Sequence, residues 1–362
     1  MSRPNSQDYR RLFAGDTPFM DTRAPVEFEK GAFPTSVNLP LMTDKERELV
    51  GTCYKQKGQQ EAIKLGHELV HGDIKQQRIA KWKAFCEANP NGYLYCFRGG
   101  MRSQITQQWL KEAGIDYPFV VGGYKALRRC LIDTIEQVAE MPMTIVGGNT
   151  GCGKTLLVNE LENGIDLEGA AHHRGSSFGR YVEAQRTQIN FESDLAIQMI
   201  KKLETGCEKF VFEDEGRIIG SVSLPVCLHQ NMQKAKVAVV DDPFDVRLAR
   251  LLDDYVVKMQ RDFVACYGEE KGWQEFEAYL EKGMFNIRKR LGFERHAEIL
   301  DAQKQAIQQM KATGSLAGHD GWLVPLLQEY YDPMYTYQLS KKEERIVFRG
   351  EYQQVKEWLA GL

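Results

Sequence analysis

The chain has 362 residues, of which 43% are hydrophobic and 10% aromatic, and its formal net charge is −3. This length predicts two domains of ordinary size, the composition excludes a disordered chain, and the charge excludes a uniformly basic nucleic-acid binder. The eight cysteines form no CxxC pair, and the N-terminal residues include no apolar signal segment. We therefore expect a reduced, cytoplasmic protein with no membrane partner.

The first segment with recognisable chemistry is a loop that contains a cysteine, two glycines and two arginines. The run Tyr93–Tyr95 predicts a short buried strand, and residues 105–113 predict a helix. Cys96 therefore lies between a strand end and a helix N-terminus, where the helix dipole, Arg98 and Arg102 favour the thiolate and would bind an oxyanion. We predict that Cys96, Arg98 and Arg102 are catalytic. The alternative is a buried structural cysteine.

The same region resembles the rhodanese family of sulfurtransferases. The resemblance rests on the run from Asp21 to Pro40, on the loop CFRGGMRS that starts at Cys96, and on a Val-Gly-Gly-Tyr motif at residues 121–124. It implies a rhodanese-like α/β fold with Cys96 in the position that carries a persulfide. One departure is the C-x5-R spacing from Cys96 to Arg102, which is longer than the common rhodanese loop and equal to that of cysteine phosphatases. The longer loop favours a larger oxyanion, such as phosphate or selenophosphate.

A domain boundary is expected shortly after this region. A helical pattern runs from Tyr124 to Val138, and Pro142 disfavours helical backbone at the residue before it. We therefore predict two α/β domains, a rhodanese-like domain at residues 1–138 and a P-loop domain with a helical C-terminal part at residues 139–362.

The second predicted domain begins with a phosphate-binding motif. Residues 148–155 read GNTGCGKT and match G-x-x-x-x-G-K-[ST], after an apolar run at 143–146 that predicts a strand and before apolar residues at helical spacing. In such a loop, backbone N–H groups surround a phosphate at a helix N-terminus, the lysine contacts the outer phosphates and the threonine hydroxyl holds Mg²⁺. The residues predicted to bind the phosphates are Gly148, Asn149, Thr150, Gly151, Cys152, Gly153, Lys154 and Thr155.

An acidic strand end supplies further candidates for the magnesium site. The run Lys209–Phe212 predicts a strand that is followed by Glu213, Asp214 and Glu215. A carboxylate at a strand end near a phosphate loop can hold Mg²⁺ directly or through water, so we predict Thr155, Glu213 and Asp214 as metal-binding residues. An acidic surface turn is the alternative.

Contacts with RNA are expected from a basic cluster on a helix that the sequence predicts from Phe285 onward. Phosphate contacts of this kind supply affinity without sequence specificity. A solvated helix face is the alternative, because acidic residues interrupt the cluster. The loop at residues 172–180, which contains two arginines, is a second candidate for contact with a diphosphate or with RNA. The predicted tRNA-binding residues are Arg288, Lys289, Arg290 and Arg295.

The order of a rhodanese-like domain followed by a P-loop domain resembles the bacterial tRNA 2-selenouridine synthases, over essentially the whole chain. The resemblance implies a transferase for tRNA with 2-thiouridine at the wobble position. It implies geranyl transfer from geranyl diphosphate to the sulfur, and then replacement of the S-geranyl group by selenium from selenophosphate. The implied partners are that tRNA and a supplier of selenophosphate. Cys96 would carry selenium as a perselenide or help to deliver selenophosphate, and both roles stay open.

Two other functions fit parts of the sequence. A P-loop kinase or ATPase with a regulatory rhodanese module would bind a nucleotide at residues 148–155 instead of geranyl diphosphate. A cysteine phosphatase would use the C-x5-R loop on a phosphate ester. The absence of a recognisable base-binding motif after the P-loop favours the diphosphate ligand.

Overall fold

The computed structural model describes residues 3–361, and the chain divides into two compact units. The first unit comprises Met1–Gln137 and Thr187–Thr205, and the second comprises Val138–Arg186 and Gly206–Leu362. The predicted domains place the segment 187–205 in the second domain. In the structure its helix packs with the first unit, since Asn190 Oδ1 accepts a hydrogen bond from Ala32 N and Glu192 pairs with Arg128.

The strands and helices follow one another in an α/β pattern in both units. The strands are β1 (Phe19–Asp21), β2 (Ser36–Asn38), β3 (Tyr93–Tyr95), β4 (Met143–Gly148), β5 (Gly164–Ile165), β6 (Phe210–Glu213), β7 (Ile218–Ile219), β8 (Val222–Ser223), β9 (Lys236–Val240) and β10 (Ile346–Gly350). The helices are α1 (Tyr9–Ala14), α2 (Pro25–Glu29), α3 (Asp44–Lys57), α4 (Gln59–Leu69), α5 (Gly72–Ala88), α6 (Met101–Glu112), α7 (Gly123–Ala139), α8 (Lys154–Glu160), α9 (Leu167–Ala171), α10 (Gln188–Glu204), α11 (Val226–Met232), α12 (Phe244–Leu252), α13 (Lys258–Tyr267), α14 (Glu269–Leu291), α15 (Phe293–Thr313), α16 (Asp320–Leu326), α17 (Asp332–Ser340) and α18 (Tyr352–Ala360).

The first unit is built on a parallel sheet with the strand order β2-β1-β3. A buried ion pair between Asp21 and Arg23 (2.6 Å) lies at the carboxyl end of β1, and the Tyr95 hydroxyl donates a hydrogen bond to Asp21 (2.8 Å). Both charged groups are buried, and each needs the other as its partner because an unpaired charge in the core is costly. These contacts fix the end of β3, and Cys96 is the next residue of the chain.

The second unit is built on a parallel sheet with the strand order β10-β9-β4-β6-β5. Strand β4 lies between β6 and β9, and most of its residues are buried, as expected for a parallel strand covered on both faces. The loops that follow β4 and β6 leave the same edge of the sheet, where ligands of α/β proteins bind. The predicted α/β class is confirmed, and the structure adds that the main sheet of each unit is parallel.

Helices form the chain between β9 and β10. Their core contains fully buried aromatic side chains such as Phe263, Phe276 and Trp322. The chain then returns to the sheet through β10 and α18, which the sequence did not predict. No helix within residues 3–361 combines the length and the apolar character that crossing a bilayer requires.

The predicted helix from Phe285 onward is wrong in its extent. Helix α14 already begins at Glu269 and it ends at Leu291, and α15 begins at Phe293. Gly292 separates them because its φ of 89° is outside the helical region. The basic residues predicted to bind tRNA therefore lie on two helices instead of one.

Candidate active sites

The phosphate loop connects β4 to α8 and depends on its glycines. Gly148 has a φ of 143°, and a Cβ atom there would lie 2.5 Å from the carbonyl oxygen of Val240. Gly153 caps α8 in the left-handed conformation with a φ of 85°. These positions exclude other residues, and the helix N-terminus that follows them offers unpaired N–H groups to a phosphate.

Lys154 is the first residue of α8, and its amine is directed back towards the loop. Its Nζ donates a hydrogen bond to Gly148 O at 3.1 Å and lies 5.2 Å from the centre of the Tyr335 ring. Burial opposes the charge, but the acidic groups around it, with Cys152 and Tyr335 first among them, outweigh burial and raise the pKa of Lys154. The loop therefore holds a fixed positive charge, which suits an anionic ligand.

Three carboxyl groups, buried or half-buried, lie beside the first turn of α8. Thr155 Oγ1 donates a hydrogen bond to Glu168 Oε2 at 2.9 Å. Glu213 Oε2 accepts hydrogen bonds from Leu167 N (2.9 Å) and Glu168 N (3.1 Å). Glu168 and Glu215 lie close enough for each carboxyl group to shift the pKa of the other. The N-terminus of α9 is thus fixed to the end of β6.

Burial is the main reason that the pKa values of these carboxyl groups are raised. Burial and the nearby Glu215 raise the pKa of Glu168 to about 8, and burial and Glu213 raise the pKa of Glu215 to about 7. Burial, with Glu168 second, also raises the pKa of Glu213. At neutral pH the ligand-free cluster therefore retains at least one proton.

The predicted metal-binding residues have different surroundings. Thr155 and Glu213 belong to the carboxyl cluster, and Oε1 of the fully buried Glu213 has no hydrogen-bond partner among the described residues. Both oxygens of Asp214 instead accept hydrogen bonds from Lys342 Nζ at 2.5 Å. Glu168 was not among the predicted metal-binding residues. The signal that would have found it is a second acidic strand end, Asp166-Leu167-Glu168, directly after β5.

The loop at residues 172–180 lies against the carboxyl cluster. A Cβ atom on Gly175 would approach Glu215 Oε2 to 2.7 Å. The Arg174 guanidinium group lies over the rings of Tyr181 (4.3 Å) and Tyr255 (5.3 Å), at distances typical of cation–π contacts. Aromatic side chains therefore hold Arg174 in place in a loop that borders the phosphate-loop site.

The cysteine loop of the first unit connects β3 to α6. Cys96 directly follows β3 and is only 3% exposed. The carbonyl oxygen of Cys96 accepts a hydrogen bond from Tyr124 N (2.8 Å), and that of Phe97 accepts one from Lys125 N (2.9 Å). A Cβ atom on Gly99 would lie 2.6 Å from Gly122 N, so this position requires glycine. The loop is thus fixed against the start of α7.

The two arginines of the cysteine loop differ in their contacts. Arg98 is exposed. Arg102 lies in the first turn of α6 and pairs with Glu27, at 2.6 Å and 3.3 Å. Burial acts to raise the pKa of Glu27, but the hydrogen bond and charge of Arg102 outweigh it and lower that pKa. Arg102 therefore combines a carboxylate partner with further N–H donors that an oxyanion can use.

The predicted tRNA-binding residues are distributed over α14 and α15. Arg288 covers the ring of Phe285 at 3.4 Å, and Lys289 and Arg290 are exposed in the last turn of α14. Arg295, on α15, forms ion pairs with Glu298 and Glu329. Lys289 and Arg290 are therefore more accessible to a phosphate than Arg295 is.

Known proteins are similar to this chain over nearly its whole length. Residues 141–362 match the family described as the tRNA 2-selenouridine synthase AAA domain. The tRNA 2-selenouridine synthase of Photobacterium profundum is 69% identical, over 99% of both chains. That of Serratia proteamaculans is 58% identical, over 99% of this chain and 96% of its own, and that of Salmonella paratyphi A is 53% identical, over 99% and 98%. The chain belongs to the tRNA 2-selenouridine synthase family.

Proposed function

We propose that this chain converts the wobble 2-thiouridine of tRNA into 2-selenouridine in two steps, with geranyl diphosphate and selenophosphate as co-substrates. The chain is an enzyme of tRNA modification, in keeping with the names of its relatives. The observation that carries the two-step proposal is the pairing of a phosphate loop with a fixed lysine in one unit and a buried cysteine loop in the other. The first suits a diphosphate, and the second suits an oxyanion.

The first proposed step is alkylation of the thiocarbonyl sulfur. The sulfur attacks C1 of geranyl diphosphate, the carbon–oxygen bond breaks, and pyrophosphate leaves with the bonding electrons while the nucleobase releases a proton. The task of the chain is to hold the diphosphate and to stabilise the charge that grows on it. The backbone N–H groups of residues 148–155 and the amine of Lys154 supply that stabilisation.

Magnesium fits the oxygen-rich side of this loop. The Thr155 hydroxyl and the Glu168 carboxyl group lie in hydrogen-bond contact, and Mg²⁺ prefers such oxygen donors together with water and substrate phosphates. Within residues 3–361 no three His, Cys, Asp or Glu side chains form a metal-binding group, so phosphate oxygens and water would complete the shell. When bound, Mg²⁺ neutralises charge on the departing pyrophosphate.

We assign Glu168, in preference to Asp214, to the carboxylate role at this magnesium site. Asp214 is neutralised by Lys342, whereas Glu168 contacts the hydroxyl of Thr155 directly. Glu213 supports the arrangement, because it accepts the backbone N–H of Glu168 and so fixes the start of α9. Supporting residues of this kind orient metal ligands in other proteins and affect affinity when removed.

The second proposed step replaces the S-geranyl group by selenium. Alkylation turns the sulfur into a leaving group, so a selenium nucleophile that attacks C2 of the base displaces geranyl thiolate. The selenium of selenophosphate forms the new bond to C2, geranyl thiol leaves with the carbon–sulfur bonding electrons and a proton, and water then cleaves the P–Se bond to release phosphate. Cys96 helps to deliver selenophosphate, and Arg98 and Arg102 bind the oxyanion. A perselenide on Cys96 would need a two-electron oxidant, because selenophosphate carries selenium at the selenide level. The parallel sheet and the loop between β3 and α6 support a rhodanese-like assignment of the first unit.

Nucleoside analysis of cellular tRNA tests the proposed function. A strain that lacks this protein should contain 2-thiouridine and no 2-selenouridine at the wobble position, and the wild-type gene should restore the selenium. Normal 2-selenouridine in the deletion strain would contradict the proposal.

A P-loop ATPase is the competing function of the second unit. Isothermal titration in the presence of Mg²⁺ separates the two, because geranyl diphosphate and pyrophosphate should compete for one site. Tight ATP binding that neither compound displaces would favour the ATPase.

A further inference from the structure

A large cavity lies in the first unit between helices α3, α4 and α6. Its volume is about 750 Å³, which falls in the range of roughly 300–1,000 Å³ that is usual for small-ligand sites. The lining combines apolar side chains with polar and charged ones. The apolar lining residues include Leu41, Val50, Ala62, Ile63, Ile105 and Trp109.

Helices α3 and α4 lack the buried face that normally stabilises a helix pair. None of the 14 residues of α3 is buried, and of the 11 residues of α4 only Ala62 is. Amphipathic helices in soluble proteins are stabilised mainly by packing their apolar side against a core. Here Val50 of α3 and Ile63 of α4 border the cavity instead. An apolar ligand would complete the burial of these two helices.

One end of the cavity carries charged side chains, among them Glu48, and adjoins the cysteine loop. Met101 and Arg102, at the start of α6, line the cavity and closely follow Cys96 in the chain. Arg47 lines it as well, and both arginines contact Glu27, at 3.7 Å for Arg47 and 2.6 Å for Arg102. A single carboxylate cannot use all the N–H donors of two guanidinium groups. The cavity therefore suits a ligand with a hydrocarbon body and a polar or anionic end.

We infer that this cavity binds the isoprenyl chain on the alkylated tRNA, the substrate of the selenium step. The inference rests on the proposed function and adds to it a binding site in the first unit. The phosphate loop is proposed to bind the isoprenoid as its diphosphate. This cavity instead adjoins the cysteine loop, which is proposed to act in the selenium step. The hydrocarbon chain occupies the space between α3, α4 and α6, and the end with Arg47 and Arg102 lies towards the nucleotide.

Binding of two matched RNAs to the full-length protein tests the inference. One anticodon stem-loop carries S-geranyl-2-thiouridine and the other carries 2-thiouridine. The wild-type protein should prefer the geranylated RNA by about tenfold or more. Ile63→Trp and Ile105→Trp, which fill the cavity, should reduce the preference below about twofold and leave binding of the 2-thiouridine RNA unchanged. Leu49→Trp is the control, since Leu49 is exposed on α3 and does not line the cavity.

Photocrosslinking with the wild-type protein keeps the test independent of how the variants fold. A diazirine on the geranyl chain of the RNA should label peptides from residues 41–70 and 101–109. Labelling confined to the second unit, or an undiminished preference in both filled variants, would overturn the inference.

The conversion assay separates failure of this inference from failure of the proposed function. If the wild-type protein cannot convert geranylated tRNA with selenophosphate, the proposed function fails. If conversion proceeds and its KM is the same in wild type and both filled variants, only the cavity assignment fails. Free geranyl diphosphate should not compete for the cavity at concentrations that saturate the phosphate loop. This result would show that the cavity binds the isoprenyl group of geranylated tRNA and not that of geranyl diphosphate.

Discussion

Thr155 donates a hydrogen bond from Oγ1 to Glu168 Oε2 at 2.9 Å, which joins the phosphate loop to the N-terminus of α9. The carboxyl group in contact with the loop therefore belongs to Glu168 and not to the predicted acidic residues at the end of β6. Glu213 at that strand end accepts the backbone N–H of Glu168, and Asp214 pairs with Lys342. The carboxylate next to the threonine is therefore Glu168, with Glu213 behind it.

Glu168→Gln should weaken the Mg²⁺-dependent binding of pyrophosphate by about 10- to 100-fold, as losses at metal-supporting residues do. The amide keeps the shape of the side chain but removes the charge. Isothermal titration with and without Mg²⁺ measures the effect. Glu162→Gln, at an exposed position after α8, is the matched control. A larger loss in Asp214→Asn than in Glu168→Gln would show that the metal role belongs to the strand end.

Lys154→Ala should reduce geranylation of 2-thiouridine tRNA by about 100-fold or more, because a preorganised charge on the leaving group is lost. The variant should still convert tRNA that is supplied already geranylated, since that step uses no diphosphate. Mass analysis of nucleosides from both reactions gives the result. Lys234→Ala, at an exposed position after α11, should behave as wild type. Equal loss of both reactions would argue against separate sites for the two steps.

Cys96→Ala should abolish selenium incorporation and leave geranylation largely unchanged. The thiol is buried at the end of β3, whereas the phosphate loop belongs to the other unit. Separate assays of the two steps, with Cys266→Ala as an exposed control, check this expectation. Normal selenium incorporation by Cys96→Ala would remove the proposed role.

The stability of the ligand-free protein should fall as the pH rises from about 5 to about 8. The pKa values of Glu168 and Glu215 in the folded state, about 8 and about 7, lie above the roughly 4.3 expected for an unfolded glutamate. Between these values the folded chain binds more protons than the unfolded chain, so the free energy of unfolding decreases with pH. Thermal unfolding across this range should show the trend, and Glu168→Gln should flatten it. An unchanged slope in that variant would contradict the assignment.

Lys289→Ala and Arg290→Ala should each weaken tRNA binding, by a similar factor for all tRNA sequences. Each substitution should also reduce the salt dependence of the binding constant by about the amount that one phosphate contact contributes. Arg295→Ala should have a smaller effect, because Glu298 and Glu329 already hold this guanidinium group. Filter binding at several salt concentrations distinguishes the three. The largest effect in Arg295→Ala would reverse the ranking.

The sequence predicted the parts of the sites that are local in the chain. Residues 148–155 form one loop between a strand and a helix, so their spacing alone indicated phosphate binding. Glu168 is different, because its contact with Thr155 depends on how β5 and β6 pair. Arg102 and Glu27 are 75 positions apart, and Lys342 and Asp214 are 128 apart. Such pairs follow from tertiary packing, which no short motif contains.

The most direct test of the account is a reaction with purified protein and 2-thiouridine tRNA, followed by mass analysis of nucleosides over time. With geranyl diphosphate and Mg²⁺ alone, S-geranyl-2-thiouridine should accumulate. Addition of selenophosphate should then convert it to 2-selenouridine. Formation of 2-selenouridine at the same rate without geranyl diphosphate would contradict the two-step account.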